Sequence, residues 1–240
     1  MRTHLRPTAP IAPDALLPGD PKRAMDLATT LLVKPLMSNL SRGLWGYHGR
    51  TPEGGELTVQ STGIGGPSAA VVLAELADLG VRRAIRIGTC SALEPGLEAG
   101  DVIVAEAALP GDGVGSTLAP GGPPLSVDPA LTEALAAAAR HRHRGLVAST
   151  DLYYDHGGPR RDDWRAAGAV AVELSAAALL AVGSRSGVAV GCGLVVGESA
   201  DGRRLDDETL DASLLDLGAC AASALAAVPQ VPVSDGASVP

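Results

Sequence analysis

No phenylalanine occurs in this chain of 240 residues, and two tryptophans and three tyrosines are its only aromatics. Its core must therefore be filled by Ala, Val, Leu and Gly, and a hydrophobic content of 46% is ample for that. Cysteine is scarce as well. Cys90, Cys192 and Cys220 lack metal-ligand spacing, and three thiols cannot all pair. They are expected as buried thiols in a reducing compartment. The N-terminus has no apolar signal core, and no run reaches about 18 apolar residues. The expectation is a soluble, cytoplasmic protein with no membrane partner. A basic surplus is also missing. The net charge of −8 argues against a general nucleic-acid binder.

What is present is an alternation of short β-type runs with longer helical ones. Strands are expected at Leu57–Ser61, Ala84–Ile87, Val102–Ala105, Gly145–Ala148, Ala169–Glu173 and Ala189–Val196. Helices are expected at Pro21–Leu32, Pro67–Leu79, Pro129–Arg142, Ser175–Ser186 and Asp207–Ala227. Several strand runs are continuously apolar, which suits a buried, parallel or mixed sheet with helices on its faces. The length fits a single α/β domain over residues 1–227. Pro110–Pro124 reads as a Gly/Pro-rich loop, and residues 228–240 as a flexible tail. His141 and His143 fall at the end of an expected helix, where they would complement its dipole rather than bind a metal.

Leu17-Pro18-Gly19-Asp20-Pro21-Lys22-Arg23 packs a glycine, two flexibility-limiting prolines before and at a helix start, and an arginine into seven residues. Gly19 lets the backbone approach a ligand, and Pro21 suits the first helical position. A helix N-terminus beside Arg23 suits an anion such as phosphate. The same residues also suit an ordinary strand–turn–helix junction. Arg86-Ile87-Gly88-Thr89 places a second cation and a hydroxyl at the carboxyl end of an apolar strand, the edge where α/β folds bind ligands.

Ser61-Thr62-Gly63-Ile64-Gly65-Gly66-Pro67-Ser68 has the look of a dinucleotide fingerprint, but its third glycine would be Ser68. The acidic residue expected about 20 positions on is replaced by Arg82-Arg83. An NAD site is rejected, and the glycines are read as a close pass of backbone by a small ligand. Trp45/Tyr47 and Tyr153/Tyr154, with Trp164, suggest either a stacking surface for a planar ligand or packing beneath loops. Glu173 ends an apolar strand just before a helix starts at Ser175, which reads as a solvated edge with an N-cap. Glu198 and Asp201 follow another strand and are candidates for a general acid or a plain turn.

In combination, Pro18-Gly19-Asp20-Pro21-x-Arg23, Gly63-Ile64-Gly65-Gly66-Pro67-Ser68 and Arg86-Ile87-Gly88-Thr89 resemble the hexameric nucleoside phosphorylases, from about His4 to Ala227. The resemblance implies a single α/β domain with a central mixed sheet. It implies phosphate-dependent cleavage of an N-glycosidic bond, with inorganic phosphate as co-substrate and no metal or organic cofactor. It also implies a dimer-based homo-oligomer, a hexamer in this family. Carried over, phosphate is held by Gly19, Arg23, Arg86 and Thr89, with Arg42 lent to a neighbouring subunit. His4 matches a histidine lent to the neighbour's ribose, and Tyr153 falls where an aromatic covers the base.

Glu173 and Leu174 match the start of the family's Glu-Met-Glu ribose motif, but Ser175 replaces its second glutamate. Losing charged hydrogen bonds worth roughly 1.5–3 kcal/mol would weaken sugar affinity. Glu198 aligns near the acid of purine enzymes, with Asp201 second and Arg203 or Arg204 as its partner. Arg86, Glu198 and Asp201 are thus the expected catalytic groups. The Gln and Arg that read uracil have no evident match. The expectation leans to a 6-oxo- or 6-aminopurine nucleoside. A uridine phosphorylase, a phosphate-independent nucleosidase, an enzyme for a modified sugar and a degenerate nucleoside-binding protein are the competing expectations.

Overall fold

The long strand Arg83–Ala92 (β5) organises the structure, a computed structural model that describes residues 3–121, 123–140, 142–155 and 159–230. Before it in the chain come β1 (Asp14–Pro18), α1 (Pro21–Leu31), β2 (Val33–Asn39), β3 (Gly46–Arg50), β4 (Glu56–Gln60) and α2 (Gly65–Asp78). After it come β6 (Val102–Gly111), α3 (Gly113–Leu118), β7 (Leu125–Ser126), α4 (Pro129–Ala138), β8 (Arg142–Thr150) and α5 (Pro159–Ala166). The chain closes with β9 (Ala169–Glu173), α6 (Ala176–Ser186), β10 (Ala189–Glu198) and α7 (Asp207–Ala227).

The strand order is β10-β6-β8-β9-β5-β1-β4-β3-β2, and β10 also pairs with β5. Strands β10, β6, β8, β9 and β5 thereby close a circuit, from which β1, β4, β3 and β2 extend as an open wing. Pairing is mixed: β5 runs parallel to β1 and β10 but antiparallel to β9. The expected single α/β domain with a mixed central sheet is the observed fold. Strand β1 ends at Pro18, opposite Ile87, and β9 joins that flank only at Ser91, so Gly88–Cys90 lie between them with one flank open. That opening is where a cleft forms.

Two apolar clusters fill the layers on the sheet, and both consist mainly of Ala, Val and Leu. Small residues set the spacing. A Cβ added at Gly218 on α7 would lie 2.1 Å from Leu27 Cδ2 on α1, so only glycine permits this helix contact. Helix α7 is long and apolar enough in composition to cross a membrane. Its stripe of Leu214, Leu217, Ala221, Ala224 and Leu225 is instead buried against the sheet, as in a core helix.

Several expectations are corrected. The helix expected over Pro129–Arg142 stops at Ala138, and Arg142 begins β8. His143 is therefore a strand residue, with Nε2 3.1 Å from Asp101 Oδ2, while His141 lies outside the described residues. The expected loop Pro110–Pro124 contains α3, whose glycines hide its periodicity. Asp112 caps it by accepting Gly115 N–H, and it packs on α6. The start of the expected tail is anchored. The Val228 carbonyl accepts from Arg83 Nη1, and Gln230 Nε2 donates to Asp14 Oδ2 at 3.3 Å. Residues 231–240 lie outside the described residues.

Candidate functional site

A cleft of about 540 Å³ opens over the carboxyl ends of β1, β5, β9 and β10. One end is cationic. Asp20 caps α1 by accepting Arg23 N–H (2.9 Å), with Pro21 at the first helical turn. Ser61 Oγ–H and Gly63 N–H both donate to the Gly19 carbonyl at 3.0 Å, which fixes the turn against the glycine-rich segment.

Arg86 is 8% exposed and donates from Nη1 to the carbonyls of Leu17 (3.1 Å) and Ile87 (2.9 Å). Its Nε is buried without a hydrogen-bond partner, and so is that of Arg23. Among the described residues Arg23 has only a long contact to a carboxylate, Nη2 to Asp211 Oδ1 at 3.7 Å. Burial pushes the Arg23 pKa below the usual guanidinium range, and the positive charge of Arg86 adds to this. Two neighbouring cations with unanswered donors in a partly desolvated turn need an anion. Thr89 lines the same region. Gly88 is required here, since a Cβ would lie 2.8 Å from Arg86 Nη2 and 2.9 Å from its Cζ.

The other end is larger and mixed in character. Tyr153, Trp164, Val172 and Leu174 line it with apolar surface, and Glu198 and Arg161 with charge. Tyr153 is 59% exposed and meets Tyr154 edge-on, with centroids 4.9 Å apart. Trp45 and Tyr47 belong to the core instead: Tyr47 is buried and Trp45 packs against the same cluster. The stacking surface is thus confined to the Tyr153 and Trp164 side.

Glu173 is 4% exposed rather than solvated. Its Oε1 accepts Ser149 Oγ–H (2.5 Å) and Ala176 N–H (2.8 Å), and both its oxygens take Ser175 N–H (2.9 and 2.8 Å). The carboxylate therefore caps α6, while the Ser175 side chain makes no capping bond. Ser175 is 1% exposed and is not part of the cleft lining.

Glu198 and Asp201 separate clearly. Glu198 lines the cleft and is paired with Arg204, whose Nε and Nη2 reach its Oε2 at 2.9 and 2.8 Å. Asp201 is not among the cleft-lining residues and is held by Ser199 Oγ–H (2.6 Å) and by Arg203 Nε (2.9 Å). Those bonds hold its carboxyl below the usual range, the opposite of what a proton donor needs. Asp201 is accordingly set aside as the general acid, and Arg204 rather than Arg203 accompanies Glu198.

Two expected residues lie outside this cleft. Arg42 is exposed on a 3-10 turn, Ser41–Gly43, at a left-handed φ of 60°. His4 Nδ1 lies 2.8 Å from Glu75 Oε1. That carboxylate also accepts the N–H groups of Thr3, His4 and Leu5. Sequence reasoning missed Asp155 and Arg161 as lining residues. Helix α5 is short and strongly polar, so no apolar period announced that it faces a pocket.

A mixed α/β sheet with paired, anion-seeking arginines at its carboxyl edge and a half-apolar chamber beside them defines a small-anion-using α/β protein. The family model described as Phosphorylase superfamily matches residues 13–229. A uridine phosphorylase of Salmonella typhimurium is 35% identical over 196 residues, covering 74% of this chain and 76% of its own length. A guanosine phosphorylase of Halorubrum lacusprofundi is 34% identical over 203 residues, covering 81% and 83%. A DeoD-type purine nucleoside phosphorylase of Clostridium beijerinckii is 32% identical over 196 residues, covering 78% and 82%. The chain belongs to the nucleoside phosphorylase family.

Proposed function

We propose that this protein cleaves nucleosides with inorganic phosphate, releasing the free base and a pentose 1-phosphate, with purine nucleosides preferred. The observation that carries the reading is the pair of arginines, half-buried Arg23 and buried Arg86, whose buried Nε–H groups find no partner among the described residues beside the Gly19 turn and Thr89. Phosphate held there lies beneath the sugar. One of its oxygens forms the bond to the anomeric carbon as the carbon–nitrogen bond breaks. The bonding pair leaves with the base, and the proton carried by the phosphate ends on a ring nitrogen. Phosphate also offsets the positive charge developing on the sugar. No metal or organic cofactor takes part.

Tyr153 and Trp164 flank the base. Glu198, paired with Arg204, acts as a hydrogen-bond acceptor to the base. The purine preference rests on the likeness to guanosine and purine nucleoside phosphorylases. Since Ser175 is buried and neutral, this position supplies no anionic clamp for sugar hydroxyls, and weak discrimination between ribo- and deoxyribonucleosides is expected.

The protein is proposed to act as a dimer-based oligomer in the cytoplasm, with free cysteines suited to a reducing environment. Strand β2 is an edge; Val33, Leu36 and Met37 on it are 56%, 58% and 40% exposed, and Leu40 just after it is 60% exposed. A second copy covering this edge would receive Arg42, and His4 would serve the neighbour's sugar.

A panel of inosine, guanosine, adenosine and uridine with their deoxy forms, with and without phosphate, tests the reading. Phosphate-dependent base release is expected, fastest for purines. Release that is indifferent to phosphate would sink it in favour of hydrolysis. Binding without turnover would point to a sensing protein, and uridine turned over fastest would overturn the purine preference.

A further inference from the structure

Arg161 differs from Arg165, Arg203 and Arg204. Arg165 is tied to Asp162 at 2.7 Å, Arg203 to Asp201 and Glu98, and Arg204 to Glu198. Arg161 lines the cleft, and among the described residues no carboxylate pairs with it. Among the described residues its one hydrogen bond runs from Nη2 to the Ala92 carbonyl at 3.1 Å. That bond pins the guanidinium over the carboxyl end of β5, one residue beyond Ser91, which also lines the cleft.

Glu198 reaches the same place from the other side. In the β10–β5 ladder Glu198 is the register partner of Ser91. Neighbouring strands lie about 4.8 Å apart. Both bonds from Arg204 fall on Glu198 Oε2, and among the described residues none reaches Oε1. The base end of the cleft thus carries an unfilled acceptor and a set of unfilled donors, both referenced to Ser91.

We propose that Arg161 is a specificity-determining residue which, with Glu198, selects bases that carry a ring N–H beside an exocyclic oxo group. The ring N–H donates to Glu198 Oε1, and the oxo oxygen accepts from Arg161. Hypoxanthine, guanine and uracil offer this order. Adenine and cytosine reverse it: an amino group would face the guanidinium, and a lone pair would face the carboxylate. Each mismatch leaves a donor or acceptor of the pocket unanswered, and such sites discriminate strongly. The inference rests on the phosphorylase reading and narrows its substrate class to oxo bases.

Inosine and adenosine differ only in the group at position 6 and the N1 proton that goes with it, and give the direct comparison at saturating phosphate. The native protein is expected to favour inosine by about 50-fold or more in kcat/KM. Arg161→Met keeps the aliphatic stem. It should lower inosine kcat/KM about 10- to 100-fold and shift adenosine by less than about threefold. The KM for phosphate should stay unmoved. Arg161→Gln, which keeps amide donors, should recover part of the loss, and thermal melting confirms that each variant folds. An equal fall for both nucleosides, an unchanged ratio, or a native preference for adenosine overturns the assignment while leaving phosphorolysis standing. If the native protein turns over no nucleoside, the phosphorylase reading fails first. Calorimetry with hypoxanthine and adenine on the phosphate-loaded protein then still decides Arg161, because equal affinities, or a preference untouched by Arg161→Met, would overturn it.

Discussion

The Glu173 carboxylate takes the Ser175 backbone N–H on both of its oxygens, at 2.9 and 2.8 Å, and so closes the first turn of α6 from within the cleft wall. The arrangement makes the backbone of residue 175 the functional part and its hydroxyl dispensable, since Ser175 Oγ has only a 3.4 Å contact to the same carboxylate.

Glu173→Ala should therefore cost about 2–4 kcal/mol in stability, because it leaves buried N–H groups and the Ser149 hydroxyl without a partner. Ser175→Ala should stay within about 0.5 kcal/mol, with the nucleoside KM unaltered. Urea unfolding and steady-state kinetics on the two variants check this pair. A large rise in nucleoside KM for Ser175→Ala would return that side chain to the sugar site.

Gly88 sets the position of Arg86. A methyl group at 88 would meet the guanidinium at 2.8 and 2.9 Å and Leu194 Cδ2 at 3.2 Å. Gly88→Ala should push Arg86 out of line and raise the KM for phosphate about 10-fold or more, and Arg86→Ala about 10- to 150-fold. The Kd for free base should move little in either. Initial rates across a phosphate series, paired with calorimetry for the base, separate this from general damage to the fold.

Acid should release the N-terminal segment. Burial alone would raise the Glu75 pKa, but the N–H groups of Leu5, Thr3 and His4 and the His4 ring outweigh it and hold the carboxyl at about 2, against an ordinary 4.5. A group depressed on folding contributes stability that is fully present above the unfolded value and is lost as pH falls through the folded one. The stability gap between the native protein and Glu75→Gln should thus be constant above about pH 5 and shrink steadily towards pH 2. Denaturation midpoints at several pH values measure it. A gap that widened on acidification would contradict the anchoring role.

The exposed β2 edge offers a separable test of assembly. Leu36→Lys with Leu40→Lys should give a monomer by sedimentation while the melting temperature changes by only a few degrees. Arg42→Ala should leave assembly intact and raise the phosphate KM. Kinetics indifferent to both changes would mean that each cleft is complete within one chain.

Much of the architecture was legible before any coordinates. Ala169–Glu173 and Asp207–Ala227 were read at their observed ends, because apolar runs bounded by turn and capping residues carry a local signal. The strands β2 and β3 were not read. They alternate weakly and hold the outer wing through ladder pairing rather than apolar content. Helix α3 was missed because its glycines have poor helix propensity and packing on α6 outweighs it. The aromatic pairs looked alike in sequence, yet Tyr47 is buried in the core and Tyr153 borders the cleft.

The sequence by itself determined the chemistry of the anion turn. Gly19, Pro21 and Arg23 lie within one local segment, and Arg86 and Thr89 within another, so spacing along the chain already specifies a cation and backbone donors at two strand ends. Only the tertiary structure decided what faces the ligand. Closure of β5 onto both β9 and β10 brings residues 161 and 198 to opposite sides of Ser91. It also turns Glu173 inward to cap a helix and leaves Asp201 outside. These choices depend on register and burial between segments far apart in the chain, and no local pattern encodes them.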